Sequence, residues 1–135
     1  MIALLQKGGY EVIFPKNMEK LCCGTIWESK GMLDIANRKT AELEAALWEA
    51  SEEGKYPVLC DQSPCLHRMR STIQKMKLYE PAEFIYTFLR DKLSFTPIDR
   101  PIAVHITCSM RKMGLADTII AWHSSAPQRS SCRKR

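Results

Sequence analysis

Apolar positions recur every three or four residues along some stretches of the chain and cluster in short β-rich runs along others, and each pattern predicts an element. Met1-Ile2-Ala3-Leu4-Leu5-Gln6-Lys7 reads as the last turns of a helix stopped by Gly8-Gly9. Tyr10-Glu11-Val12-Ile13-Phe14 reads as a strand closed by Pro15. A long helix is expected from about Met32 to Glu53, with Ala36, Thr40, Leu43, Leu47 and Ala50 along one face, Trp48 and Leu33 at the core or its margin, and Gly54 as its end. Tyr56-Pro57-Val58-Leu59-Cys60 is a second short strand, and it runs into the turn Asp61-Gln62-Ser63-Pro64-Cys65. There Ser63 is a credible N-cap and Pro64 suits the first helical position. A helix from about Pro81 to Leu93 follows, and a third strand, Ile102-Ala103-Val104-His105-Ile106, delivers Thr107-Cys108-Ser109 to the start of another helix. Repeated strand-turn-helix order predicts an α/β fold, a layer of strand-helix repeats with a mostly parallel sheet.

Composition narrows the picture. The chain has 135 residues, 45% of them hydrophobic, which suits a packed core. No apolar run reaches membrane-spanning length, and the N-terminus lacks the basic start and small-residue cleavage site of a signal peptide. A cytoplasmic location is therefore expected. The formal net charge is +5, but Arg129, Arg133, Lys134 and Arg135 supply four of those charges, which leaves +1 for the rest. That balance gives no electrostatic reason to expect nucleic acid. Six cysteines without export signals favour a reducing compartment, with metal or redox use over disulfides.

The chemistry centres on Leu21-Cys22-Cys23-Gly24. Adjacent cysteines bond to each other only with strain, whereas two vicinal thiolates can face one soft metal centre or a cluster. Gly24 lets the backbone approach a bulky inorganic group or take a positive φ. The plainer reading is two small hydrophobes in a buried turn. Cys65 falls in a first helical turn, where amides and helix dipole favour a thiolate. Cys60, Cys65 and Cys108 all lie at expected carboxyl ends of strands, where ligands of open α/β sheets collect. His67 reads as surface or core, and the alternation of a strand would separate His105 from Cys108. There is no GxGxxG, P-loop, HExxH, GxSxG or CxxC. Zinc held by Cys22, Cys23, Cys65 and Cys108 is possible in principle, though structural zinc normally uses spaced pairs.

Leu21-Cys22-Cys23-Gly24 with Glu28-Ser29-Lys30-Gly31, then Asp61-Gln62-Ser63-Pro64-Cys65, then His105-Ile106-Thr107-Cys108-Ser109-Met110-Arg111-Lys112-Met113-Gly114 resembles the C-terminal cysteine-rich (CCG) region of FAD-dependent, iron–sulfur D-lactate dehydrogenases. Through this region that family is related to glycolate oxidase iron–sulfur subunits, anaerobic glycerol-3-phosphate dehydrogenase and heterodisulfide reductase. The likeness covers roughly Ile2 to Ala121. In that family each of two units has a lone cysteine, a CCG pair and a downstream cysteine. The resemblance implies that Cys22, Cys23 and Cys65 are metal ligands of a first unit and that Cys108 is the lone cysteine of a second. The heterodisulfide-type CxxC is not reproduced, which leaves Cys60 an open candidate. The implied cofactor is an iron–sulfur cluster of the 4Fe-4S type with an incomplete ligand set, and FAD belongs only to the intact relative. That relative oxidises a 2-hydroxy acid and passes electrons through clusters to a quinone or cytochrome, with other domains or subunits as partners and any membrane association peripheral. The chain is therefore expected to be an incomplete electron-transfer module, not a dehydrogenase by itself. The alternative is a stand-alone α/β structural or interaction domain with free or zinc-bound cysteines.

The expected organisation is most of a first CCG unit over 1–100, the start of a second over 101–121, and a disordered tail over 122–135. The tail carries neither helical periodicity nor family likeness. Permitted codons for Trp122 to Arg135 let a shifted frame read Ala-Gln-Leu-Cys-Pro-Ala-Glu-Val-Ile-Leu-Pro-Glu-Glu, which parallels Leu5-Gln6 and Glu11-Val12-Ile13-Phe14-Pro15, so a frameshifted origin is expected for it.

Overall fold

The computed structural model describes residues 1–96, 101 and 103–125, with side chains placed as far as Ile120. Helices dominate it: α1 (Ile2–Lys7), α2 (Thr25–Glu28), α3 (Leu33–Ala50), α4 (Ser63–Thr72), α5 (Pro81–Phe84) running into a π-helical turn (Ile85–Leu89), α6 (Cys108–Lys112) and α7 (Ala116–Ser125). Among the described residues the sheet is two strands, β1 (Val58–Leu59) and β2 (Leu78–Tyr79), paired in parallel with Val58 opposite Leu78 and Leu59 opposite Tyr79. The expected α/β fold with strand-helix repeats and a mostly parallel sheet is therefore wrong. The chain is mostly helical.

The reason lies in the stretches read as strands. Over Tyr10 to Phe14, Tyr10 and Val12 pack on a core cluster while Ile13 and Phe14 stay more than half exposed. The side chains alternate partway as a strand's would, yet no strand forms there. A strand is defined by its ladder, and alternation without a neighbouring backbone does not make one. From 103 to 105 all three residues are exposed and only Ile106 is half-buried, so nothing rewards pairing there; residue 102 lies outside the described residues. The strand expected from Tyr56 shrinks to two residues.

The small sheet divides two cores. Successive side chains of a strand point to opposite faces. Val58 and Leu78 accordingly join a cluster of Cys23, Leu47, Leu66, Met69, Ile73 and Met76. Leu59 and Tyr79 face the other cluster, formed by Leu5, Phe84, Ile85 and Leu89. Tyr79, Phe84 and Phe88 meet there with centroids 4.8–5.9 Å apart, a spacing that favours edge-on and tilted rings.

Helix α3 follows the expected stripe, with Ala36, Thr40 and Leu47 buried and Leu43 packed beside them. Trp48 lies at the margin of the first core under the Lys75 ammonium, 5.0 Å from its ring. Leu33, expected near the core, is 55% exposed, because as the first helical residue it precedes the turn that meets α2. The helix ends at Ala50, and Gly54, at φ +80°, sits in the turn beyond it. Helix α7 continues through Ser125, four residues past Ala121, where helical pattern was expected to end; residues 126–135 lie outside the described residues. Among the described helices none is long and apolar enough to cross a membrane.

Candidate metal-ligating thiol site

Cys22 and Cys23 lie on the loop that enters α2. Gly24 is the residue before that helix, with φ +87° and ψ −9°, and both numbers are explained by what surrounds it. A Cβ at this position would stand 2.4 Å from the Ala36 carbonyl oxygen, 2.9 Å from Arg68 Nε and 3.0 Å from Thr40 Oγ1. Only glycine tolerates both the left-handed backbone and that approach.

Two helices hold the loop from below. Thr40 Oγ1 on α3 and Arg68 Nε on α4 both donate to the Cys23 carbonyl oxygen, at 2.8 and 2.9 Å. Arg68 is 3% exposed, and its remaining donors reach Asn37 Oδ1 on α3 at 2.9 Å and Glu28 Oε1 on α2 at 2.5 Å. A buried guanidinium is tolerable only when paired and bonded in this way. On the far side of the same peptide, the Gly24 amide donates to Cys22 Sγ at 3.4 Å.

Cys65, in the first turn of α4, and Cys60, just after β1, complete the group. Cys60 follows Val58 by two residues and so faces the same core, where Cys23, Cys60 and Cys65 are neighbours in one cluster. The thiols act on one another. Burial pushes the Cys23 thiol up, but hydrogen bonds from the Thr25 hydroxyl, 3.2 Å away, from the Cys65 thiol and from the Thr25 amide outweigh it and hold Cys23 below the ordinary cysteine value. Cys65 is pushed up to about 12, first by burial, then by its hydrogen bond to Cys23 and the negative charges that Cys23, Cys60 and Cys22 can carry. Burial also raises Cys60, against a hydrogen bond with the Gln62 backbone. The surroundings thus favour the anion at Cys23 and disfavour it at Cys65. All four are free thiols.

Cys108 stands apart. It opens α6, is exposed, and lines a cavity of about 410 Å³ with Thr25, Glu28, His67, Ser109 and Lys112. Helix α6 packs on α4. Ser63 joins that contact: it is the first residue of α4 and not its cap, and its hydroxyl bonds Thr107 Oγ1 at 3.1 Å and Ser109 Oγ at 2.7 Å. Of the expected ligands, the fold packs Cys23 and Cys65 in one cluster with Cys60, holds Cys22 on the adjoining loop, and leaves Cys108 on the neighbouring surface. His67 is half-buried on that cavity and His105 is exposed. Cys132 lies outside the described residues.

Among the described residues no three His, Cys, Asp or Glu side chains form a ready site for a metal ion. A single zinc ion draws its sulfurs to about 2.3 Å of one point. A cluster instead offers a separate iron to each cysteine. The donor chemistry here, four thiols around a loop that leaves no room for a Cβ, fits a soft, thiolate-loving group better than a hard cation.

Arg68, Thr40 and Asn37 were not legible as site residues in the sequence, since Thr40 and Arg68 reach the Cys23 carbonyl over 17 and 45 positions and Asn37 reaches Arg68 over 31. Comparison of the chain with protein-family models, with curated proteins and with solved structures finds no match to any of them.

Proposed function

We propose that the chain is part of an iron–sulfur electron-transfer module of the D-lactate dehydrogenase-like kind, with Cys22, Cys23 and Cys65 as thiolate ligands and Cys60 as the fourth. The observation that supports this best is the packing of Cys23, Cys60 and Cys65 in one cluster beside the Gly24 loop, whose amide bonds Cys22 Sγ. Bound there, a cluster would supply one-electron transfer. The chain's own part is to present the sulfurs, to exclude water from Cys23, which is 7% exposed, and to direct the Gly24 amide at Cys22. Ligation needs deprotonated sulfur, so the Cys65 proton, held there chiefly by burial, would have to leave on binding. Flavin and 2-hydroxy acid chemistry belong to other parts of the intact relatives. The exposure of Cys108 on a cavity that borders the site through Thr25, Glu28 and Arg68 suits a ligand of another unit.

A stand-alone domain with free cysteines is the second reading, favoured by the way Cys23 packs as a small apolar side chain in the first core. Anaerobic incubation with ferrous iron and sulfide separates the two. The proposal expects sulfur-to-iron charge-transfer absorption that is lost in both Cys23→Ser and Cys65→Ser and kept in Cys108→Ser. A colourless chain, or equal loss in all three variants, contradicts it.

A further inference from the structure

Arg68 spends a buried positive charge on a loop carbonyl, and the geometry gives that contact a consequence for the sulfurs. The Cys23 carbonyl oxygen and the Gly24 amide belong to one peptide unit, which is planar and resists twisting. Arg68 Nε fixes the oxygen at 2.9 Å. The opposite edge of the same plane then aims the Gly24 N–H at Cys22 Sγ, 3.4 Å away. We propose that Arg68 is the positioning residue of the thiol site: by holding the Cys23–Gly24 peptide it directs an amide hydrogen bond onto the Cys22 sulfur. What the bonded sulfur then does rests on the ligand reading above; the orientation of the peptide does not.

Three features support the assignment. First, the guanidinium is itself immobilised, tied to α2 through Glu28 and to α3 through Asn37, so it transmits the positions of two helices to the loop. Second, a planar fork is needed: the Nε–H and two terminal groups reach partners on three different segments, which a lysine ammonium at the end of a flexible stem cannot reproduce. Third, Gly24 has no Cβ and a left-handed backbone, so the bonds to the Cys23 carbonyl oxygen are what orient its peptide. Thr40 Oγ1 shares the Cys23 oxygen at 2.8 Å and also reaches the Ala36 carbonyl at 2.9 Å, and Arg68 Nε lies 3.2 Å from that hydroxyl, so the guanidinium orients the second donor as well. Amide-to-sulfur hydrogen bonds are among the levers that set the potential of thiolate-held clusters, so the same contact would tune the site and not only build it.

The test is amide hydrogen exchange at Gly24, followed by NMR in the metal-free chain, with cadmium binding as a second measurement. In Arg68→Lys, Gly24 exchange should accelerate by roughly tenfold or more, the loss expected for a hydrogen bond from a charged donor, while Leu47 and Leu66 amides keep their protection. The affinity for Cd²⁺ alone, read from cadmium–thiolate charge-transfer absorption, should weaken by a similar factor. Arg70→Lys is the control, because Arg70, on the same helix, braces the Leu78 carbonyl and Glu83 and not the loop; it should change neither reading. Where Arg68→Lys does not fold, Asn37→Ala carries the test, since it removes one anchor at an exposed position; a smaller acceleration confined to Gly24 is expected. Unchanged Gly24 exchange, acceleration shared by the Leu47 and Leu66 amides, or an equal effect of Arg70→Lys would overturn the proposal. Failure to take up iron with the Gly24 response intact would sink only the cluster reading.

Discussion

Cys23 and Cys65 are shifted in opposite directions, and burial and the surrounding hydrogen bonds explain why. Cys23 receives hydrogen bonds that favour its anion, whereas Cys65 gives one up and faces the negative charge of its neighbours. In the metal-free chain the Cys23 thiolate should therefore form below the ordinary cysteine range and the Cys65 thiolate last, towards pH 12. Thiolate ultraviolet absorbance followed against pH checks this. Cys23→Ser should remove the earliest step and lower the last one, though only partly, because burial is the larger cause at Cys65. A Cys65 step unmoved by that substitution would mean the two sulfurs do not interact. The sign for stability follows: a thiol raised in the folded state adds stability below its unfolded value near 9.0, and that contribution is lost as pH climbs through the folded value. Cys65→Ala should thus flatten the fall in urea stability above pH 9.0. At this scale much was legible in the sequence. A vicinal pair before a glycine, and a cysteine in a first helical turn, announce themselves. Cys60 stood only as an open candidate, although its place two residues after Val58, just past β1, was enough to put it on the same face.

Elements were readable where the signal is local and unreadable where it needs a partner. The α3 stripe is a property of one helix, and Ala36, Thr40 and Leu47 sit where their spacing puts them. The strands expected at Tyr10–Phe14 and around Val104 carried β-rich residues but met no ladder, while β2 at Leu78–Tyr79 formed from two residues that no period could single out. What made β2 is the Lys77 and Tyr79 carbonyls accepting from Val58 and Cys60, a contact across some twenty positions. The Gly24 turn is the element-scale feature most open to trial. Gly24→Ala must accept a left-handed backbone and a clash with the Ala36 carbonyl, and it should cost about 2–5 kcal/mol in urea unfolding. A loss under about 1 kcal/mol would mean that the loop does not lie against α3. Glu80 offers a milder case. Its carboxylate caps α5 by accepting from the Ala82 and Glu83 amides at 2.6 and 3.3 Å. Glu80→Ala should cost about 1 kcal/mol, and an unchanged urea midpoint would remove the cap from the account.

Across the described residues, two strands of two residues separate two cores, and Cys23, Cys60 and Cys65 belong to only one of them. That division explains why a fold with so little sheet still holds the site: α3 and α4 supply the floor, and the sheet only turns Cys60 towards it. Leu66, fully buried at the centre of the first core, should be the most sensitive apolar position near the site. Leu66→Ala is expected to lose about 2–5 kcal/mol in urea unfolding and to loosen the thiols with it, whereas Leu89→Ala, fully buried in the other core, should lose similar stability and leave thiol titration alone. The central claim, that Cys22, Cys23, Cys60 and Cys65 form one ligand set from which Cys108 is separate, is tested most directly by counting iron and acid-labile sulfide per chain after anaerobic reconstitution of wild type, Cys60→Ser and Cys108→Ser. The account predicts that iron and sulfide are bound in equal amounts by wild type and by Cys108→Ser, and that Cys60→Ser loses most of both. Loss in Cys108→Ser with full retention in Cys60→Ser would contradict it.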